Sequence, residues 1–281
     1  MILFKSTADI RFFLDEMRKR GNSIGYVPTM GALHKGHISL IVNSKKVNQI
    51  TVSSIFVNPT QFNNPKDFEK YPVTLQSDID LLEQNGCDVL FLPTVPEMYP
   101  NGFNNNKSYN LGYLETVLEG KYRPGHFQGV CQVVDRLLQI VQPHNLYLGQ
   151  KDYQQCMVIK KMIELVQMNI NVIICATLRE GDGLAMSSRN MRLNKQEREQ
   201  AVRISEVLLF IKKEIKAGYI GDLEERAIQY LSAAGFKVDY VTIAAADTLE
   251  LLEYWDGSKN IVALAAAYMN EVRLIDNMLL N

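Results

Sequence analysis

Up to Thr177 the chain alternates short apolar runs with longer stretches of helical periodicity. The apolar runs are Ile24–Val27, Ile50–Val57, Asp88–Leu92, Asn145–Leu148 and Val172–Ala176. Helical patterns occupy His37–Val47, Thr74–Asn85, Gln128–Val141 and Tyr153–Met168, and Gly86 stands where a C-terminal helix cap is needed. Parallel strands need long crossovers, usually helices, so this alternation predicts an α/β fold with a Rossmann-like, doubly wound parallel sheet over residues 1–177. Beyond Thr177 the texture changes. Residues 195–216 read as one charged helix and Leu223–Ala234 as another ending at Gly235; Lys237–Ala244 and Asn260–Ala265 read as strands. Residues 178–281 are therefore expected to form a smaller C-terminal α+β domain.

The charge balance excludes one broad class of partner. Thirty basic residues against 31 acidic ones give a net charge of -1, without the basic excess that nucleic-acid binding calls for. No apolar run approaches the roughly 20 residues of a membrane span, and the N-terminal segment lacks the basic start and apolar core of a secretion signal. Cysteines at 87, 131, 156 and 175 have no metal or redox spacing, so buried thiols in a reducing cytoplasm are expected. Asn101–Asn110 reads as an Asn-rich loop.

Polar clusters follow four of the five apolar runs: His34-Lys35-Gly36-His37, Asn58-Pro59-Thr60-Gln61, Gly149-Gln150-Lys151-Asp152 and Met186-Ser187-Ser188-Arg189-Asn190. In open α/β sheets ligands bind beyond the carboxyl ends of the strands, so four clusters at four such ends predict one composite site. The first opens a helix, where unpaired N–H groups and the dipole favour phosphate, and its two imidazoles at i and i+3 share a face. Each cluster also has an ordinary reading: surface histidines at a helix start, an Asn-Pro turn, an N-cap aspartate beside a solvated lysine, a capped turn. Their joint placement favours the site.

Four segments carry a family resemblance: Pro28–His37, Phe56–Phe62, Gly149–Gln155 and Gly183–Asn190. Together they resemble the pantothenate synthetases (pantoate–β-alanine ligases). The similarity runs in order along the whole chain. More distantly, the His-x-Gly-His run and the Met-Ser-Ser-Arg loop look like the two ATP signatures of class I aminoacyl-tRNA synthetases and related nucleotidyltransferases. The resemblance implies condensation of pantoate with β-alanine at the expense of ATP, through a pantoyl adenylate, with Mg²⁺ accompanying ATP. It implies ATP contacts from Met30, Gly31, Ala32, Leu33, His34, Lys35, Gly36, His37, Gly149, Gln150, Lys151, Asp152, Leu178, Met186, Ser187, Ser188 and Arg189. Of these His34, His37, Lys151, Ser187, Ser188 and Arg189 carry the chemistry. Gln61 and Gln155, with Asn58, are implied to hold pantoate. Asp78 is a weak candidate for an outer-shell magnesium contact, and a solvated aspartate on a helix face is at least as good a reading.

Gln150 stands where the family often has Glu, and Leu81 where some relatives are polar. The resemblance further implies a lid whose first loop, Thr177–Asn190, moves on Gly181 and Gly183, and a homodimer with Gln128–Val141 as a candidate surface; simple burial of that helix is the alternative. Lys121–His126, a basic turn, either leans into the site or caps the following helix. Two other functions stay open: a different nucleotidyltransferase, which would lack Gln61 and Gln155 at their spacing, and a non-catalytic nucleotide-binding regulator, which would not need Lys151 or both histidines.

Overall fold

The computed structural model describes residues 1–62, 68–102 and 107–281, so part of the Asn101–Asn110 stretch lies outside the described residues. The chain divides into two compact units, Met1–Gln150 with Gln154–Ala176, and Lys151–Tyr153 with Thr177–Asn281.

The first unit is built on a six-stranded sheet. Its strands are β1 (Ile2–Phe4), β2 (Ile24–Thr29), β3 (Ile50–Ile55), β4 (Val89–Phe91), β5 (Asn145–Gly149) and β6 (Asn171–Cys175), in the order β1-β4-β3-β2-β5-β6. Every neighbouring pair is parallel. The longer helices are α1 (Thr7–Lys19), α2 (Lys35–Lys45), α3 (Leu75–Gln84), α4 (His126–Val141) and α5 (Tyr153–Leu165). β1 and α1 add to the elements expected from the sequence.

Side chains of a strand alternate between its two faces, and here both faces are apolar. Tyr26, Val52, Val89, Phe91, Leu146 and Leu148 join one core with Ile10 and Leu14 of α1 and the apolar stripe of α4. Val27, Ile55, Leu90 and Tyr147 join another with Leu40 and Ile41 of α2 and Leu82 of α3. Helices cover both faces, as a parallel sheet requires. α4 turns its apolar stripe into the first core, where Phe127, Val130, Val134, Leu137, Leu138 and Val141 are buried, as simple burial of that helix requires. At the end of α3, Gly86 has φ +79° and donates to Glu83 O while Cys87 N donates to Leu82 O, the expected cap. All four cysteines are buried and none is in a disulfide.

The second unit holds an antiparallel sheet of β8 (Lys237–Ala245), β10 (Ile261–Met269) and β11 (Val272–Leu279), in the order β11-β10-β8, and a ribbon of β7 (Gly218–Tyr219) with β9 (Tyr254–Trp255). The single helix expected over 195–216 is two, α6 (Lys195–Ala201) and α7 (Arg203–Glu214), followed by α8 (Gly221–Ala233). Ala263, Ala265 and Ala267 of β10 pack in one core with Ile204, Val207, Leu208 and Ile211 of α7 and Leu223, Ala227 and Leu231 of α8.

The sequence boundary at 177/178 differs from this division at two places, since Thr177 and residues 151–153 both go with the second unit. Residues 151–153 go with the second unit because Asn277 Nδ2 donates to the Lys151 carbonyl at 2.8 Å and the Tyr153 hydroxyl to the Ala246 carbonyl at 2.6 Å.

Candidate active site

The winding of the first sheet reverses at β2 and β5. β3, β4 and β1 lie to one side of this pair and β6 to the other, which makes it the switch point where ligands of such sheets bind. β2 and β5 pair only at Gly25–Asn145 and Tyr26–Leu146, whereas β2 follows β3 to Thr29 and β5 follows β6 to Gly149. Their carboxyl halves therefore part. Met30–His37 and Gly149-Gln150 leave from that parting, and a Cβ at Gly149 would meet no heavy atom within 4 Å.

The turn after β2 is held from below. Gly31 and Ala32 have φ of +84° and +49°, and the Asp78 carboxylate accepts from Ala32 N at 2.9 Å and Leu33 N at 2.8 Å. Asp78 also accepts from the Thr74 hydroxyl at 3.0 Å and is buried. This corrects the solvated reading of Asp78: the carboxylate is buried and clamps the turn. The same bonds take the N–H groups of Ala32 and Leu33, so these two residues do not offer backbone donors to phosphate.

The histidines cap α2 reciprocally. His34 Nδ1 accepts from Gly36 N at 3.2 Å, and His37 Nδ1 accepts from His34 N at 3.3 Å; the rings lie 4.1 Å apart. A nitrogen that accepts an N–H bond carries no proton, so each neutral ring carries its hydrogen on Nε2. Both imidazoles are thereby fixed as Nε2–H donors. The helix start accordingly offers imidazole donors, with the Gly36 and His37 N–H groups already bonded to His34 Nδ1 and His34 O. Lys35, between the box residues, is the first residue of α2.

The segment after β3 makes a 3-10 turn, Pro59–Gln61, capped by Asn58. Expected to touch substrate, Asn58 is instead wholly buried. Its Oδ1 accepts from the Tyr99 hydroxyl at 2.9 Å, and its Nδ2 donates to the Gly129 carbonyl at 3.2 Å. Asn58 thus supports the turn. Gln61 Nε2 donates to Met30 Sδ at 3.0 Å, bringing the second cluster against the first. From the other side His126 Nδ1 lies 2.8 Å from the Gln61 carbonyl, so the basic turn does lean into this site. On α5 the paired glutamines part: Gln154 is buried on the carbonyls of Leu114 and Val117, while Gln155 is half-buried. Tyr99 and Gly129 were not among the expected site residues, whereas His126 ends the basic turn singled out in the sequence. An isolated glycine inside the apolar pattern of α4 is the one signal the sequence carries for Gly129, and Tyr99 has none.

The other expected residues, from Lys151 onward, lie in the second unit. Gln150–Asp152 form a 3-10 turn in which Lys151 Nζ stands 3.5 Å from Asp152 Oδ1; the lysine side chain is largely buried and that of Asp152 is half exposed. Leu178 accepts from Met186 N at 3.0 Å, Glu180 N donates to Leu184 O at 2.8 Å, and Arg179 and Ala185 bridge antiparallel. This closes a hairpin, with Gly183 at φ +96° completing its turn. Arg179 makes a fork to Asp276 at 2.7 and 3.0 Å, Arg198 meets Asp182 at 2.7 Å, and Leu184 is buried in the core. The loop that carries Gly181 and Gly183 is thus a hairpin tied to the rest of the second unit through Arg179, Asp182 and Leu184. It delivers Ser187, whose hydroxyl accepts from Arg189 N at 3.2 Å, then Ser188, which is buried, and Arg189, at the start of a short 3-10 helix.

The family model described as Pantoate-beta-alanine ligase matches residues 2–279. The chain belongs to that family. Relatives of this pantoate–β-alanine ligase family chain include the pantothenate synthetase of Cytophaga hutchinsonii, 46% identical over 284 residues and covering 100% of this chain and 99% of the relative. That of Acetivibrio thermocellus is 44% identical, covering 99% of each. The crystal structure of the pantothenate synthetase from Thermus thermophilus matches with a TM-score of 0.92 at 38% identity, covering 100% of this chain and 99% of that one. The pantoate–β-alanine ligase of Francisella tularensis, solved with β,γ ATP and β-alanine, matches at 0.84 and 39%, covering 100% and 98%. The fold is that of these ligases, and the chain is an enzyme of the same class.

Proposed function

We propose that this enzyme joins pantoate to β-alanine in two steps. The pantoate carboxylate oxygen attacks the α-phosphorus of ATP, the bond to the bridging oxygen breaks, and diphosphate leaves. The β-alanine amine then attacks the acyl carbon of the pantoyl adenylate and loses a proton, the acyl C–O bond breaks, and AMP departs with the bridging anhydride oxygen. Family membership and the kinship to a ligase solved with ATP analogue and β-alanine support these substrates.

One observation carries the mechanism: both Nδ1 atoms of the His34–His37 box accept backbone hydrogens, which orients the two rings and puts their N–H on Nε2. In the first step negative charge grows on the leaving diphosphate. Donors aimed at it stabilise the transition state more than bound ATP. Lys151 adds a compact positive charge, Arg189 a planar fork, and Ser187 and Ser188 hydroxyl donors. Gln61 and Gln155, whose amides both donate and accept, suit the hydroxyls and carboxylate of pantoate. Among the described residues no group of three His, Cys, Asp or Glu side chains forms a metal cage. Mg²⁺ fits this chemistry as an ion carried on the phosphates of ATP. Four buried thiols support a reducing compartment such as the cytoplasm, and among the described residues no helix is long and apolar enough to cross a membrane.

With β-alanine absent, labelled diphosphate is expected to exchange into ATP only when pantoate is present. His37→Ala or Lys151→Ala should slow that exchange on the order of 100-fold, about 3 kcal/mol of transition-state stabilisation. AMP formed only when all three substrates are mixed, with no exchange, would overturn the adenylate route.

A further inference from the structure

The turn carrying Gln61 is fixed at three points, none of them through the phosphate clusters. Asn58, at its start, is locked between the Tyr99 hydroxyl and the Gly129 carbonyl, at 2.9 and 3.2 Å. At its end, the Gln61 carbonyl meets His126 Nδ1 at 2.8 Å. In its middle, α4 comes so near that a Cβ on Gly129 would lie 2.5 Å from Thr60 O and 3.0 Å from Gln61 Cα. The carbonyl of Gln61 can only accept, so His126 presents Nδ1–H to it, the opposite tautomer from His34 and His37. His126 is buried, which makes this contact the ring's fixed attachment rather than a surface encounter.

We infer that the first turn of α4, through the His126 ring and the missing side chain of Gly129, sets the position of Gln61 and with it the affinity for pantoate. His126 and Gly129 are positioning residues. Neither is placed to touch ATP or a reacting atom; each acts through the backbone of the turn. The consequence is selective: loosening this turn weakens pantoate binding and leaves ATP binding in place, because His34, His37 and Gly149 rest on β2 and β5 instead. The inference rests on Gln61 as a pantoate ligand.

Diphosphate exchange in the full-length enzyme tests it, with KM measured separately for pantoate and for ATP. Gln61→Ala is the reference and must raise the pantoate KM at least tenfold; if it does not, the assignment of Gln61 fails and not only the role of His126. Given that rise, His126→Ala should raise the pantoate KM about tenfold while the ATP KM stays within twofold. His126→Asn, whose amide nitrogen can replace Nδ1–H, should recover most of the loss. Gly129→Ala should reproduce the split, and adding His126→Ala to Gln61→Ala should change nothing further. An unchanged pantoate KM in His126→Ala, equal rises for both substrates, or an Asn variant as impaired as the Ala variant would overturn the inference. If His126→Ala does not fold, His126→Asn and Gly129→Ala decide: near-normal pantoate KM in the first with a tenfold rise in the second supports it, and any other pairing overturns it.

Discussion

Ala32 sits with φ of +49° between Gly31 and Leu33, and nothing in its own side chain favours that. Left-handed backbone costs a non-glycine residue about 1–2 kcal/mol, and such a residue persists only where its surroundings over-determine it. Here the surroundings are one carboxylate. Asp78 takes the N–H groups of both Ala32 and Leu33, and at Gly31 a Cβ would come within 3.1 Å of Asp78 Oδ2. Asp78→Ala should leave two buried N–H groups unpaired, each costing about 1–3 kcal/mol. The expected loss is about 3 kcal/mol, read as a lower urea midpoint with an unchanged slope. A loss under about 1 kcal/mol would show that the turn holds itself. The histidine pair was legible in the sequence because its spacing and the helix start are local. Asp78 as a clamp was not, since a helix more than 40 residues downstream supplies it and only the fold brings it under the turn.

The hairpin from Leu178 to Met186 shows the same division within one element. Its Met-Ser-Ser-Arg run and its glycines stand out in the chain, but glycines signal a turn and a hinge equally well. What separates the two is the far partner. Arg179 forks onto Asp276, a buried carboxylate on β11, and Leu184 fills the core behind it. Burial pushes the Asp276 carboxyl above its ordinary range and Arg179 opposes the rise. Removing one member of a buried ion pair costs about 3–5 kcal/mol. Asp276→Ala should therefore open the hairpin locally. The Glu180 and Met186 amides, now bonded to Leu184 O and Leu178 O, should exchange with solvent on the order of 100-fold faster. If their exchange is unchanged, the ion pair does not hold the hairpin and the reading of a mobile lid returns.

Strand–helix alternation was enough to assign the doubly wound sheet, because a parallel sheet leaves that rhythm in any chain that forms one. The strand order was not legible: β1 is three residues long and joins the edge beside β4, whose partner residues lie more than 80 positions away. β11 was missed for a different reason. Its apolar pattern breaks at Asp276-Asn277, both buried, where one residue holds Arg179 and the other holds the Lys151 carbonyl. A strand pattern fails where the residues serve a site instead of the core. Of the residues proposed for the reaction, His34 and His37 belong to the first unit and Lys151, Ser187 and Arg189 to the second. Each unit has a core of its own. A ligand held by residues of both must stabilise both, and at a hundred times its Kd by about 2.7 kcal/mol. Val52 in β3 and Ala265 in β10, each wholly buried, report on the two cores. With ATP and pantoate saturating and β-alanine withheld, both amides should exchange about 100-fold more slowly than in the unliganded enzyme. Slowing at Val52 alone would take Lys151, Ser187 and Arg189 out of the ATP site and leave the histidine box as the sole phosphate-binding element.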